Sequence, residues 1–148
     1  MSIRVLLADR HRLMREGLRI LLASRDGIEV VGEAEDGLAA VKLAGRLAPE
    51  VVVTGVTLPR LSGRAATKRI RRDCPDTVVV ALSMYSDGDH VAQMLEAGAS
   101  AYVVKTCGLQ ELLHAIEAAL SGKVYISPDV AGTVVEKYLS AVAGELPG

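Results

Sequence analysis

The sequence contains no tryptophan and no phenylalanine, and its four tyrosines are its only large aromatic residues. Half of the 148 residues are nevertheless hydrophobic, so the apolar content is almost entirely aliphatic and an intrinsically disordered chain is excluded. A core of valine, leucine, isoleucine and alanine suits buried parallel strands that are covered by helices. The length fits one domain of common size, large enough to bury its own core.

Cysteine, net charge and long apolar runs are also scarce. Cys74 and Cys107 lie far apart, with no companion cysteine or clustered histidine, so we expect reduced thiols rather than a disulfide framework or a zinc site. A net charge of −1 provides no global field that attracts nucleic acid or an acidic membrane. No apolar run approaches the ~20 residues that cross a bilayer, and no leader pattern opens the chain. These absences predict a cytoplasmic protein without membrane contact.

Apolar runs alternate with helical patterns along most of the chain. The runs predict strands at Ile3–Ala8, Ile28–Ala34, Val51–Gly55, Thr77–Leu82 and Ser100–Val104. The intervening patterns predict a helix that carries Leu13, Leu18, Leu21 and Leu22, followed by helices at Gly37–Leu47, Gly63–Asp73, Gly88–Ala97 and Leu109–Leu120. Strands that alternate with crossover helices imply a parallel sheet with helices on both faces.

The remaining residues, 123–148, are predicted to form a linker with one extra helix, outside a domain that spans residues 1–122. Lys123–Ser127 is interpreted as a short extended link. Pro128 and Asp129 favour a helix start, because proline fits the first turn and a nearby carboxylate suits the helix dipole. This helix is predicted to run to about Val142, and Gly144–Gly148 is typical of a linker.

Short motifs recur in order over nearly the whole chain. They include Val5-Leu6-Leu7-Ala8-Asp9-Arg10-His11, Arg15-Glu16-Gly17-Leu18, Glu96-Ala97-Gly98-Ala99, Tyr102-Val103-Val104-Lys105 and Gly122-Lys123-Val124-Tyr125-Ile126-Ser127-Pro128. In this order they resemble the receiver domain of NarL/FixJ-type bacterial response regulators. The resemblance implies a doubly wound (βα)5 flavodoxin-like α/β fold. Its five-stranded parallel sheet has the order 2-1-3-4-5, and a C-terminal linker helix follows. Ligands of such sheets bind where the strand order reverses, between the first and third strands.

Position 55 departs from this family. In the resembling receivers the residue that follows the third strand is the aspartate that is phosphorylated, whereas this chain has Gly55. Glycine has no side chain, so it can neither attack a phosphoryl group nor hold a metal. The nearby hydroxyls of Thr54 and Thr57 are weak nucleophiles without an adjacent base. We therefore expect an atypical receiver that lacks its phospho-acceptor.

The metal-binding acids of the family are also depleted. Two adjacent acids after the first strand and one after the third hold Mg²⁺ in the resembling receivers, since this ion takes hard oxygen ligands. Asp9 matches the first acid, but Arg10 stands at the second position and Gly55 at the third. One carboxylate beside a guanidinium is a poor divalent site. We expect no cofactor, with Mg²⁺ binding lost or very weak.

Three further residues match the receiver pocket. In that family a hydroxyl contacts the phosphoryl oxygens, and Ser83 stands at its position. Tyr102 matches the aromatic residue that moves when the receiver switches conformation, and Lys105 matches the lysine that forms an ion pair in the pocket. Ser83 could equally cap a strand end, and Lys105 could be solvated. We expect a Lys105–Asp9 salt bridge, because an unpaired carboxylate in a partly buried pocket is costly. Arg10 competes for the same carboxylate. Our hypothesis is that a positive side chain fills the vacated volume and replaces part of the metal's charge.

Two functions remain open. The first is a non-enzymatic, phosphorylation-independent dimerisation module of a transcriptional response regulator. The resemblance implies a homodimer through helices 1 and 5 or through the helix 4–strand 5–helix 5 face, and DNA contact through a helix-turn-helix domain that is absent from these 148 residues. The second is a sensor in which a small molecule binds in the vacated pocket and Tyr102 couples its binding to the helix surface. An enzyme is not expected, since no phosphate-cradling glycine loop or nucleophile–base pair is present.

Overall fold

Six parallel strands form a single sheet in the order β2-β1-β3-β4-β5-β6. The structure, a computed structural model, describes residues 2–145. The strands are β1 (Ile3–Ala8), β2 (Ile28–Ala34), β3 (Val51–Thr54), β4 (Val78–Ser83), β5 (Ala101–Val104) and β6 (Tyr125–Ile126). The helices are α1 (Arg12–Ala23), α2 (Gly37–Leu47), α3 (Gly63–Asp73), α4 (Gly88–Glu96), α5 (Leu109–Leu120) and α6 (Pro128–Glu145).

The apolar core has one layer on each face of the sheet. Because successive strand residues point to opposite faces, Val5 and Leu7 join the layer that contains Leu22 of α1 and Ile116 of α5, whereas Leu6 joins the layer under α2, α3 and α4. The central strands are buried on both faces, as their uninterrupted valine runs predict. No helix within residues 2–145 is long and apolar enough to cross a membrane.

The predicted order of the first five strands is confirmed, but the prediction of a five-stranded sheet is wrong by one strand. The segment interpreted as an extended link supplies β6, where Tyr125 pairs with Ala101 and Ile126 with Tyr102. Tyr125 packs against one core layer and Ile126 against the other, which is the alternation of a strand. Two residues are too few for this period to be recognised in the sequence.

Several predicted boundaries shift by a few residues. The third strand ends at Thr54 rather than Gly55, the fourth begins at Val78 and ends at Ser83, the fifth begins at Ala101, and the fourth helix ends at Glu96. The last helix continues beyond Val142 to Glu145, so the start of the predicted linker is helical; residues 146–148 of that linker lie outside the described part. Cys74 and Cys107 are free thiols, and burial together with nearby Glu111 raises the pKa of Cys107.

α6 packs against α4 of the same chain. Val130 is fully buried in the core layer under α4. A Cβ on Gly88 would lie 3.3 Å from Cδ of Lys137 and 3.4 Å from Cγ2 of Thr133, so α4 approaches α6 closely at this glycine. The Lys137 amine also pairs with the Asp89 carboxylate. The C-terminal helix therefore covers the outer face of α4.

Candidate functional site

Four strands end side by side at one edge of the sheet. Ala8 pairs with Thr54 between β1 and β3, and Ser83 pairs with Val104 between β4 and β5. The residues that follow these strands, including Asp9, Gly55 and Lys105, therefore emerge together with Ser83. The sequence predicted the pocket at this carboxyl-terminal edge of the sheet, between the first and third strands.

Asp9 forms a buried ion pair with Lys105. The Lys105 Nζ atom lies 2.7 Å from Oδ2 of Asp9, and the two side chains are only 9% and 4% exposed. The other carboxylate oxygen, Oδ1, accepts a 2.8 Å hydrogen bond from the backbone N–H of His11. The expected Lys105–Asp9 pair is thus present. Because both charges are desolvated, removal of one partner would leave the other uncompensated.

Arg10 does not compete for Asp9, contrary to the alternative that the sequence left open. Its side chain is exposed and makes no hydrogen bond or ion pair with any residue from 2 to 145. Successive residues at a strand end point in opposite directions, so Arg10 turns outward where Asp9 turns inward. Arg10 lines the mouth of the pocket, and Lys105 is the cation that occupies it.

Gly55 is buried directly against this ion pair. Its backbone N–H donates to the Ala8 carbonyl at 2.8 Å. A Cβ on residue 55 would lie 3.3 Å from Oδ2 of Asp9 and 3.7 Å from Cδ2 of Leu58. A cavity of about 100 Å³ remains beside the glycine, with Lys105 in its wall. The side-chain direction of residue 55 therefore points at the oxygen that Lys105 binds.

The loop after Gly55 folds back so closely that only glycine fits at residue 63. The N–H of Gly63 donates to the Val56 carbonyl at 2.9 Å. A Cβ on Gly63 would lie 2.2 Å from the Gly55 carbonyl oxygen, well inside van der Waals contact. The first residue of α3 thus fixes the backbone of position 55, a role for which the sequence pattern carries no signal.

The residues present do not fit Mg²⁺. This ion needs near-octahedral oxygen ligands. The Asp9 carboxylate is already engaged on both oxygens, by the His11 N–H and by Lys105. Across the part of the chain that the structure describes, no group of three or more histidine, cysteine, aspartate or glutamate side chains gathers at one place. The donor set therefore lacks the oxygens that the ion requires.

The two predicted switch residues, Ser83 and Tyr102, both hold Tyr85. The buried Ser83 hydroxyl accepts from the Tyr85 N–H at 3.0 Å, so Ser83 does cap its strand end. The Tyr102 hydroxyl donates to the Tyr85 carbonyl at 2.7 Å. Burial raises the pKa of Tyr102, and the neighbouring Ser83 hydroxyl partly opposes that rise. The ring of Tyr85 stacks on His90 at 4.2 Å, which extends the cluster to α4.

Two residues near Asp9 were missed by the sequence reasoning. His11 donates its N–H to Asp9, and its Nδ1 atom lies 3.4 Å from the same carboxylate oxygen. Arg15 donates from its guanidinium to the Asp9 carbonyl at 2.7 Å and places Nε 3.4 Å from Glu33. The only available signal is spacing, since residue i+2 after a strand-end aspartate commonly hydrogen-bonds that side chain.

An apolar groove of about 580 Å³ adjoins the pocket along α1. Its wall includes Met14, Gly17 and Leu18, and it shares His11, Met84 and Lys105 with the cavity beside Gly55. Leu13 and Met84 at its rim are 82% and 73% exposed. The groove and the pocket are therefore neighbours that share Lys105 as a wall residue.

Comparison with known proteins identifies the family. The sequence pattern of the response regulator receiver domain matches residues 5–117. The chain belongs to this family. The response regulator GacA of Pseudomonas viridiflava is 40% identical over 129 residues, which cover 87% of this chain and 60% of GacA. The transcriptional regulatory protein LiaR of Bacillus subtilis (strain 168) is 38% identical over 145 residues, 98% of this chain and 69% of LiaR.

Solved structures agree with this assignment. The crystal structure of a LuxR-family two-component response regulator from Aurantimonas sp. SI85-9A1 superposes with a TM-score of 0.88 at 37% identity, covering 94% of this chain and 99% of that one. The signal receiver domain of the putative response regulator NarL from Mycobacterium tuberculosis gives a TM-score of 0.79 at 30% identity. This receiver spans about 60% of the length of GacA.

Proposed function

We propose that this receiver is a phosphorylation-independent regulatory and dimerisation module of a transcriptional response regulator. The observation that carries the proposal is the Lys105–Asp9 ion pair beside Gly55. The phospho-acceptor position has no side chain, and the remaining acid is bound to a lysine instead of a metal.

The ion pair supports a receiver that is held in one arrangement. A ligand or modification shifts a conformational equilibrium only if it interacts differently with the two states. At residue 55 there is no nucleophile through which a phosphoryl group would attach, and the charge of Lys105 is already neutralised by Asp9. The Tyr102–Tyr85 hydrogen bond is then set by packing and not by phosphorylation.

The structure favours one of the two expected dimer surfaces. The face built from α4, β5 and α5 is partly covered by α6, which packs on Gly88 and pairs Lys137 with Asp89. The α1 surface is open and exposes Leu13 at 82% and Ile20 at 70%. Exposed apolar patches of this kind are typical of interaction sites. We therefore place the homodimer on the α1 and α5 side.

DNA contact belongs, in this proposal, to a part of the protein outside these residues. LiaR is named a transcriptional regulatory protein, and this chain matches 69% of its length. With a net charge of −1, the receiver offers no strong electrostatic field for a polyanion. Dimerisation of the receiver would instead set the spacing of two DNA-binding domains.

Light scattering over a concentration series tests the proposal. We expect the same dimer with and without Mg²⁺ and a small-molecule phosphodonor. A variant with Leu13→Ser and Leu21→Ser should be monomeric at concentrations where the natural chain is dimeric. Leu38→Ser is the matched control, because Leu38 is an exposed leucine on α2, away from this surface. The proposal would be refuted if the phosphodonor changed the oligomeric mass measured by light scattering. An unaltered dimer in the double variant would refute it as well.

Small-molecule sensing is the second candidate, and the groove along α1 favours it. The cavity beside Gly55 holds only about 100 Å³, below the ~300–1,000 Å³ usual for ligand sites. The adjoining groove of about 580 Å³ falls within that range. A thermal-shift screen of metabolites tests this candidate with Gly17→Leu, which fills the groove. Gly45→Leu on α2 is the control, since both glycines have open space beside them. A genuine ligand raises the melting temperature of the natural chain and the control, but not of Gly17→Leu.

A further inference from the structure

α6 presents two different faces. Val130, Thr133 and Lys137 follow one another at three- and four-residue spacing and contact α4 or the core beneath it. The opposite face carries four large apolar residues at helical spacing: Val135, Tyr138, Leu139 and Val142. We refer to these four residues as the α6 stripe.

No residue between 2 and 145 covers the α6 stripe. Its members are 55%, 66%, 57% and 36% exposed in sequence order, and every residue from Val135 to Gly144 is exposed. A helical segment of this length is marginal in water on propensity alone, and most helices are stabilised by packing of an apolar face. The first half of α6 and Lys137 pack on α4, whereas nothing among residues 2–145 packs on the stripe.

The chemistry of the stripe selects among possible partners. It contains no charged residue, and Glu136 and Lys137 lie off it at helical spacing. A nucleic acid or an anionic membrane would require several basic residues alongside the apolar face, and α6 has a single lysine that is paired with Asp89. A second copy supplies an identical apolar stripe with no like charges opposed. Symmetric pairing of one patch with itself is also the commonest form of homodimer contact.

We propose that the α6 stripe packs against the α6 stripe of a second copy of this chain. Even an aromatic side chain buries only on the order of 150–250 Å², so four partly exposed residues, three of them aliphatic, supply only part of the ~800 Å² per partner of a stable interface. Because α6 packs on α4, on the face of the sheet opposite α1, this pairing is a separate and weaker contact between copies than the dimer on the α1 side.

Disulfide trapping tests the pairing separately from dimerisation through α1. In a background with Cys74→Ser and Cys107→Ser, Leu139→Cys places a thiol at the centre of the stripe. Ser140→Cys is the matched control, because Ser140 is the next residue, is also exposed, and points about 100° around the helix. Under mild oxidation we expect Leu139→Cys to form dimers at least tenfold faster than Ser140→Cys. Equal rates would mean random collision and would overturn the pairing.

The same measurement with Leu13→Ser and Leu21→Ser separates the two proposals. Because α1 and α6 lie on opposite faces of the sheet, these changes should leave the preference for Leu139→Cys over Ser140→Cys intact. If the natural chain is monomeric throughout, the preference at high concentration still reports on α6. Tyr138→Glu should abolish the preference in either case. Loss of the preference in the α1 variant alone would show that α6 has no affinity of its own and would overturn its pairing.

Discussion

The Oδ2 atom of Asp9 lies 2.7 Å from the Lys105 amine and only 3.3 Å from the point at which residue 55 would carry its Cβ. The pocket of this receiver is therefore organised around one acid and one lysine. Because residue 55 is a glycine, no side chain approaches the carboxylate oxygen that Lys105 binds.

Lys105→Met should destabilise the fold strongly. Methionine keeps most of the apolar stem but leaves the buried Asp9 carboxylate without its partner, which costs ~3–5 kcal/mol in comparable buried pairs. Urea unfolding followed by circular dichroism measures the change. Adding Asp9→Asn removes the stranded charge and should recover at least half of the loss. A single variant within about 1 kcal/mol of the natural chain would show that the pair is effectively solvated.

Gly63→Ala should disturb position 55 from a distance in sequence. The added methyl group would meet the Gly55 carbonyl at 2.2 Å, and a backbone oxygen cannot rotate away as a side chain can. We expect a loss of at least ~1–3 kcal/mol in urea unfolding, as in other overpacked sites. Gly17→Ala in α1 is the control, because nothing lies within 4 Å of its added methyl group. That variant should gain roughly 0.5–1 kcal/mol from its higher helix propensity.

Much of the fold could be predicted from the sequence, because the apolar runs of β1, β3, β4 and β5 are long enough to identify as strands and are largely buried. The Lys105–Asp9 pair could also be predicted, since parallel strands bring their carboxyl ends to one edge. The strand β6 could not, because it has two residues and depends on backbone bonds of Tyr125 and Ser127 to β5 and its flanking residue.

The outward turn of Arg10 and the close approach of Gly63 were equally hidden from the sequence. The first is decided by which face of the strand end each side chain leaves, and the pattern allowed Arg10 and Lys105 alike to reach Asp9. The second is a contact between two backbones, in which neither residue has a side chain that could mark it. The open stripe on α6 depends on how α6 lies against α4, which a one-dimensional pattern does not contain.

Tyr102→Phe should change how stability responds to alkaline pH. An unfolded tyrosine loses its proton near pH ~10, whereas burial raises the pKa of Tyr102 in the fold. The unfolded chain then releases a proton that the folded chain keeps, so stability is full below about pH 10 and falls as the pH rises towards the folded pKa. At neutral pH the variant should be less stable by about 1 kcal/mol, because it lacks the hydrogen bond from the Tyr102 hydroxyl to the Tyr85 carbonyl.

Above about pH 10, however, the free energy of unfolding of the Tyr102→Phe variant should fall less steeply with pH than that of the natural chain. Urea unfolding at a series of pH values would show this difference. The pKa of Tyr125 is also raised, by burial and by Glu111, so a smaller alkaline slope remains in the variant. Tyr138→Phe serves as the control because Tyr138 is exposed, and it should keep the full slope. Identical slopes in all three proteins would contradict the assigned role of burial at Tyr102.

Ser127→Ala should loosen α6 from the receiver. The fully buried Ser127 hydroxyl donates to Glu111 at 2.9 Å and accepts from the Val104 N–H at 3.2 Å, next to Lys105. Losing both bonds should cost ~1–3 kcal/mol, and hydrogen exchange of the α6 amides should quicken. Ser121→Ala, at the exposed end of α5, is the control and should leave exchange unchanged. Unaltered α6 exchange in Ser127→Ala would mean that α4 alone holds this helix.

Phosphorylation itself gives the most direct test of a rebuilt pocket. The natural chain, Gly55→Asp, and Gly55→Asp combined with Arg10→Asp are incubated with a small-molecule phosphodonor and Mg²⁺, and intact-mass spectrometry counts the phosphoryl groups. We expect no adduct on the natural chain, little on the single variant, and a base-labile acyl phosphate only when both acids are restored. Efficient modification of the single variant would contradict the expectation that Mg²⁺ binding is lost because Arg10 stands in place of the second acid. A base-labile acyl phosphate on the natural chain would contradict phosphorylation-independence itself.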